Sequence, residues 1–146
     1  MEFHKILVPV AGSDADADAI KLACRLSRRD KAKILVVSVI PIERSLPLDT
    51  ELAGEVKKAE GVLERAEKVA LEQGCGIETD LLQARNVGPS IVDEAVERGM
   101  DLIVMGIAYK RQFGQHSLGD VTPYVLKNAP CPVILYQQHQ SGQVKV

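Results

Sequence analysis

Aromatic residues are scarce in this chain: three Tyr, two Phe and no Trp among 146 residues. Without aromatic faces there is no platform for stacking the bases of single-stranded nucleic acid, and no Trp-lined cleft for a carbohydrate. An excess of one sign of charge is missing as well. Eighteen basic residues stand against twenty acidic ones, a formal net charge of −2. A chain so balanced is poorly equipped to neutralise the phosphates of a duplex. No apolar run approaches the ~18 residues that a membrane-spanning helix requires, and the opening MEFHKILVPV lacks the basic, apolar and small-residue order of a secretion signal. Both absences lead us to expect a cytoplasmic protein without membrane insertion. Cysteine is sparse and odd in number. Cys24, Cys75 and Cys131 have no Cys-x-x-Cys spacing, which reads as small buried thiols in a reducing compartment rather than a disulfide frame. His4, His116 and His139 likewise lack metal-ligand spacing.

What remains is aliphatic. Hydrophobic residues make up 46% of the chain, and they are mostly Val, Ile, Leu and Ala. The length fits one domain. Short Val/Ile/Leu runs are the mark of strands buried on both faces, as in a parallel sheet covered by helices. The runs fall at Ile6 to Val10, Ile34 to Ile40, Ile77 to Leu82, Asp101 to Gly106 and Pro132 to Tyr136. The third carries polar residues and belongs nearer a sheet edge. Between the runs, apolar residues recur at helical period: about 14–30, from Asp49 to Gly74, from Gly88 to Gly99, and from Asp120 through Asn128. Ser13, with Asp16 three residues on, forms a Ser-x-x-Asp capping pattern at the first helix.

The order β-α-β-α-β-α-β-α-β specifies parallel strands joined by right-handed crossovers, with helices on both faces. Ligands of such sheets bind beyond the strand C-terminal ends, where the strand order reverses. Two loops stand there: Ala11-Gly12-Ser13 after the first strand, and Gly106 to Gly119 after the fourth.

Those loops carry a resemblance. KILVPVAGS, DLIVMG and LGDVTPYVLKNAPCPVILY together resemble the universal stress protein family, in the right element order over nearly the whole chain. The resemblance implies a doubly wound five-stranded parallel sheet of order 3-2-1-4-5, of the adenine-nucleotide alpha-hydrolase-like kind. It also implies cytoplasmic homodimers pairing through the last strand, here Val133, Ile134, Leu135 and Tyr136, and roles in stress survival or transporter regulation. The domain would span 1–137, leaving 138–146 as a polar tail.

Some members of that family bind ATP and some do not. The ATP-binding members share Gly-x2-Gly-x9-Gly-Ser/Thr after strand four. Here Gly106 and Gly119 match, Tyr109 replaces the second Gly and Asp120 replaces the Ser/Thr. The Asp usual after strand one is Ala11. Glycine lets a backbone approach phosphates closely, and the Tyr109 side chain would occupy that space. Asp120 would repel a triphosphate and is expected to serve as the helix N-cap, placing Pro123 in the tolerant first turn. A carboxylate there could instead hold Mg²⁺ for a nucleotide.

The expectation is a non-enzymatic, homodimeric regulatory domain with a degraded ATP motif. Its candidate binding residues are Val10, Ala11, Val39, Gly106, Tyr109, Gly119, Asp120, Val121 and Thr122, with no catalytic or metal-ligating residue. The alternative is an ATP- or AMP-binding sensor or transporter-regulating module using the same groove, with Val39 offering backbone groups to adenine. No general base is positioned by spacing for an enzyme.

Overall fold

A computed structural model describes residues 2–108 and 117–138 of the chain. The elements run β1 (Lys5–Pro9), α1 (Ala15–Asp30), β2 (Lys33–Pro41), α2 (Ala53–Glu72), β3 (Glu78–Ala84), α3 (Val87–Glu97), β4 (Leu102–Ala108), α4 (Ser117–Asn128) and β5 (Val133–Gln138). All five strands are parallel in one sheet of order β3-β2-β1-β4-β5. The order reverses at β1, and β3 is an edge strand.

Alternation along each strand builds two cores at once. Ile6, Val8, Ile34, Val36, Leu102 and Val104 face α1 and α2, meeting Ile20, Ala23, Cys24, Leu63 and Ala66. Their neighbours Leu7, Leu35, Val37, Ile103 and Met105 face α3 and α4, meeting Ile91, Ala95, Val121 and Val125. Successive side chains point to opposite faces, so a strand covered on both sides must be apolar throughout. This is why β1, β2 and β4 read as continuous aliphatic runs.

Helix ends follow the sequence closely at three sites. Lys31 closes α1 in the left-handed region at φ 58°, its N–H donating to the Ser27 carbonyl. Gly74 and Gly99 follow α2 and α3 at φ 68° and 64°, where a Cβ would be strained.

Two helix starts differ from expectation. Ser13 forms no side-chain cap on α1; the residue before the helix is Asp14, also without a cap bond. Instead the Asp16 carboxylate turns back and accepts from the Gly12 N–H at 2.7 Å and the Ala11 N–H at 3.3 Å. Gly12, at φ 92°, bends the loop so that these amides face the helix start.

The second difference is in α4. Asp120 is its fourth residue rather than its N-cap, and Pro123 lies inside the helix. An interior proline costs about 3 kcal/mol, through the missing bond to the carbonyl four residues back and the crowding of its ring. Burial of Val121 and Val125 against the sheet offsets this at roughly 1.5–3 kcal/mol each. The predicted loop of 107–119 is shorter as well: β4 continues to Ala108 and α4 opens at Ser117. Tyr109, Lys110, Arg111, Gly114 and His116 lie outside the described residues, as does the tail from His139.

Candidate functional site

β2 is longer than its neighbour, and that creates a cleft. β1 pairs with β2 as far as Pro9 opposite Val37, and the Val10 N–H donates to the Val37 carbonyl at 2.9 Å. Beyond that point β1 leaves the sheet, while β2 stays paired with β3 up to Pro41 opposite Ala84. Backbone groups alternate sides along a strand. Val39 therefore turns its N–H and C=O the same way as Val37, toward the edge that β1 has vacated.

The resulting cavity holds about 190 Å³. Its floor is Val10 and Ala11 from the end of β1 with Ser38 to Ile40 from β2. Ala59 and Val62 of α2 wall one side, Val87 and Ile91 of α3 the other, and Glu55 and Lys58 of α2 also border it. The walls are apolar, and the polar groups are few and local, which is the composition of a small-molecule site.

The β1–α1 loop is held from below by Asp16. Burial pushes the Asp16 carboxyl above its ordinary value, against the opposing pull of the Gly12, Ala11 and Ser13 amides and of Arg65. A Cβ on Gly12 would come 3.3 Å from the Val62 side chain, so loop and α2 are in close contact. The Ser13 hydroxyl is buried without a hydrogen-bond partner among the described residues.

The β4 side is built differently. Gly106 is buried in β4, where a Cβ would stand 2.8 Å from the carbonyl carbon of Ala15 and closer still to its oxygen. The glycine is therefore required by the approach of α1 to the sheet. Asp120 is exposed on α4, whereas Val121 and Thr122 are buried beneath the helix.

Among the described residues no group of three His, Cys, Asp or Glu side chains could hold a metal ion, and no helix is long and apolar enough to cross a membrane. Cys24 is buried, and its thiol is pushed up to about 12 by burial and by the neighbouring Cys75 thiol. Cys75 and Cys131 are only half-buried, short of the full burial expected for all three. They lie where α2 and α4 hand over to the strands that follow.

A sequence model of the universal stress protein family matches residues 2–137. The chain belongs to this family. It is 32% identical over 142 residues to a universal stress protein of Methanocaldococcus jannaschii, covering 93% of this chain and 83% of that one. It is 34% identical over 137 residues to one from Thermus aquaticus, covering 91% and 98%. A universal stress protein from Archaeoglobus fulgidus, solved in complex with dAMP, superposes with a TM-score of 0.73 at 26% identity, covering 92% of this chain and 98% of that one. The fold expected from the family resemblance, strand order included, is the fold observed.

Within this universal stress protein the predicted site residues separate. Val10, Ala11 and Val39 line one cleft. Gly106 packs under α1, Asp120 faces solvent, Val121 belongs to the α3–α4 core and Thr122 is buried. Gly119 falls in the first turn of α4, and Tyr109 is outside the described residues. The sequence reading misses Ser38, Glu55, Lys58, Ala59 and Val62. Ser38 has a signal, as the one polar residue after Lys33 in the β2 run KILVVSVIP. The α2 residues have none, because the fold alone brings that helix over the end of β2.

Proposed function

We propose that this chain is a non-enzymatic, cytoplasmic stress-response regulator whose cleft takes an adenine nucleoside or its monophosphate and discriminates against the triphosphate. The observation that carries this reading is the contrast between the open cleft at the ends of β1 and β2 and the altered phosphate side. The cleft offers apolar walls for a base and the Val39 backbone for its edge. Across the sheet, the ATP-binding pattern has a Ser/Thr where this chain carries Asp120, a carboxylate in the first turn of α4. A carboxylate there takes up the positive end of the helix and repels anionic phosphates. The dAMP complex of the Archaeoglobus fulgidus relative supports a monophosphate as ligand.

The domain would comprise residues 1–137, with 138–146 as a tail. Homodimerisation through β5 fits its place at the sheet edge and the exposure of Leu135 and Tyr136, each 37%. An unpaired apolar edge invites a second strand. Val133 and Ile134 would lie in the same pairing.

Calorimetric titration with AMP and with ATP, each with and without Mg²⁺, tests the reading. AMP is expected to bind at least tenfold more tightly than Mg·ATP. Tight Mg·ATP binding overturns the proposal in favour of an ATP sensor. Its appearance only in the double variant D120S/Y109G would assign the discrimination to those two side chains.

A further inference from the structure

Ser38 is only 6% exposed, and none of the side-chain hydrogen bonds among the described residues uses its hydroxyl. It sits in the middle of β2, on the face it shares with Val36 and Ile40, and it lines the cleft. The packing alone would be served by an aliphatic side chain, as at those two neighbours. β-branched residues also suit a strand better than serine does. The hydroxyl oxygen is not one of the fully enclosed atoms left without a partner, so its surface opens on the cleft. Its position on a cavity wall gives the missing partner a place to be.

We propose that the Ser38 hydroxyl is the side-chain hydrogen-bond partner that reads the polar edge of the base in this cleft, making it a specificity-determining residue. The inference rests on the adenine-nucleotide reading above and adds to it a residue that touches the ligand. Ala59 and Val62 on one side and Val87 and Ile91 on the other offer apolar faces to a flat heteroaromatic ring. Only its edge can meet polar groups, and the floor supplies them: the Ser38 hydroxyl beside the Val39 N–H and C=O. A hydroxyl both donates and accepts, so it can serve a ring nitrogen or an exocyclic amine. Loss of a side-chain partner at the edge of the base leaves a base atom unpaired, and such losses discriminate strongly.

Threonine and valine have nearly the same shape and differ in the hydroxyl. Comparing S38T with S38V therefore isolates that group. AMP affinity, measured by calorimetry on the whole chain, is expected to stay within threefold of wild type in S38T and to fall at least tenfold in S38V. Ribose 5-phosphate, which lacks the base, should bind the two variants equally weakly. Thermal unfolding without ligand should show S38V at least as stable as wild type, because no side-chain hydrogen bond among the described residues uses the hydroxyl. Equal AMP affinity of S38T and S38V overturns the inference while leaving the nucleotide reading intact. So does a loss of ligand-free stability in S38V with AMP affinity falling in proportion, which would make the hydroxyl structural. Failure of wild type to bind AMP or adenosine overturns the nucleotide reading, and this inference with it.

Discussion

The two sides of the C-terminal edge of this sheet, β1 and β2 on one and β4 with α4 on the other, are built to different ends. Around β1 and β2 the chain leaves backbone groups, a hydroxyl and two apolar walls facing a cavity. Around β4 and α4 the corresponding positions are taken up by the protein itself. Gly106 admits α1, and Val121 and Thr122 are buried in the fold. Motif residues of one family can therefore answer to separate demands. A glycine matching a phosphate-binding pattern is here fixed by packing, so its presence says little about phosphate.

The sharpest way to break that contrast is Gly106→Ala. The added methyl would meet the Ala15 carbonyl group, which is backbone at the start of a buried helix and cannot swing aside. Overpacking of this kind costs about 3 kcal/mol and lowers Tm by on the order of 10 °C for a chain of this size. Urea unfolding with circular dichroism measures it. A variant of wild-type stability that binds AMP poorly would return Gly106 to the ligand and dissolve the difference between the sides.

Much of this fold is legible in the amino-acid sequence. The strands announce themselves because both faces of the sheet are covered, and period 3.6 separates α2 and α3 cleanly. That Val10, Ala11 and Val39 lie on a cleft is legible because clefts of a doubly wound sheet form at the strand ends. The start of α4 is not. Pro123 argues locally for a helix opening at Asp120, and only the burial of Val121 and Val125 explains why the helix tolerates that proline. The Ser13 cap misleads for a similar reason. The pattern Ser-x-x-Asp marks residues able to cap, but the loop turn at Gly12 leaves α1 without a side-chain cap and directs the Asp16 carboxylate to the Ala11 and Gly12 amides. Glu55, Lys58 and Val62 cannot be found at all from sequence, since nothing local tells a helix which cleft it will cover.

Asp16 joins the two sides. Its carboxylate holds the Ala11 and Gly12 amides of the cleft side, and its neighbour Ala15 is the contact of Gly106. Burial keeps its folded-state pKa above the ordinary 3.8. The folded chain therefore binds more protons than the unfolded one just above that value, and this group's contribution to stability falls as pH rises through the window. Asp16→Asn keeps an oxygen for the amides and removes the titration. At pH 7 it should unfold within about 1 kcal/mol of wild type. The stability of wild type minus that of Asp16→Asn should fall between acid and neutral pH in urea titrations. A difference that rises with pH would mean that the amide bonds outweigh burial, and that the loop is held by charge.

The smallest effect is expected at Gly88, in the first turn of α3 beside the cleft wall. A Cβ there would lie 3.1 Å from the Cβ and a ring carbon of Tyr124 on α4. The contact is looser than that of Gly106 and differs from it in kind. Tyr124 is 39% exposed, so its ring can rotate toward solvent, whereas its Cβ is tied to the α4 backbone and must move with the helix. Alanine also gains up to about 1 kcal/mol over glycine in a helix, less near an end. The two terms oppose each other, and Gly88→Ala should change stability by less than about 1 kcal/mol, in the destabilising direction because one of the crowded atoms cannot turn away. AMP affinity should be unchanged, since Val87 and Ile91 keep their places on the wall. A loss comparable to that of Gly106→Ala would mean that α3 and α4 are packed as rigidly as α1 against the sheet. The strand-two side of the sheet edge would then be no more open to change than the strand-four side.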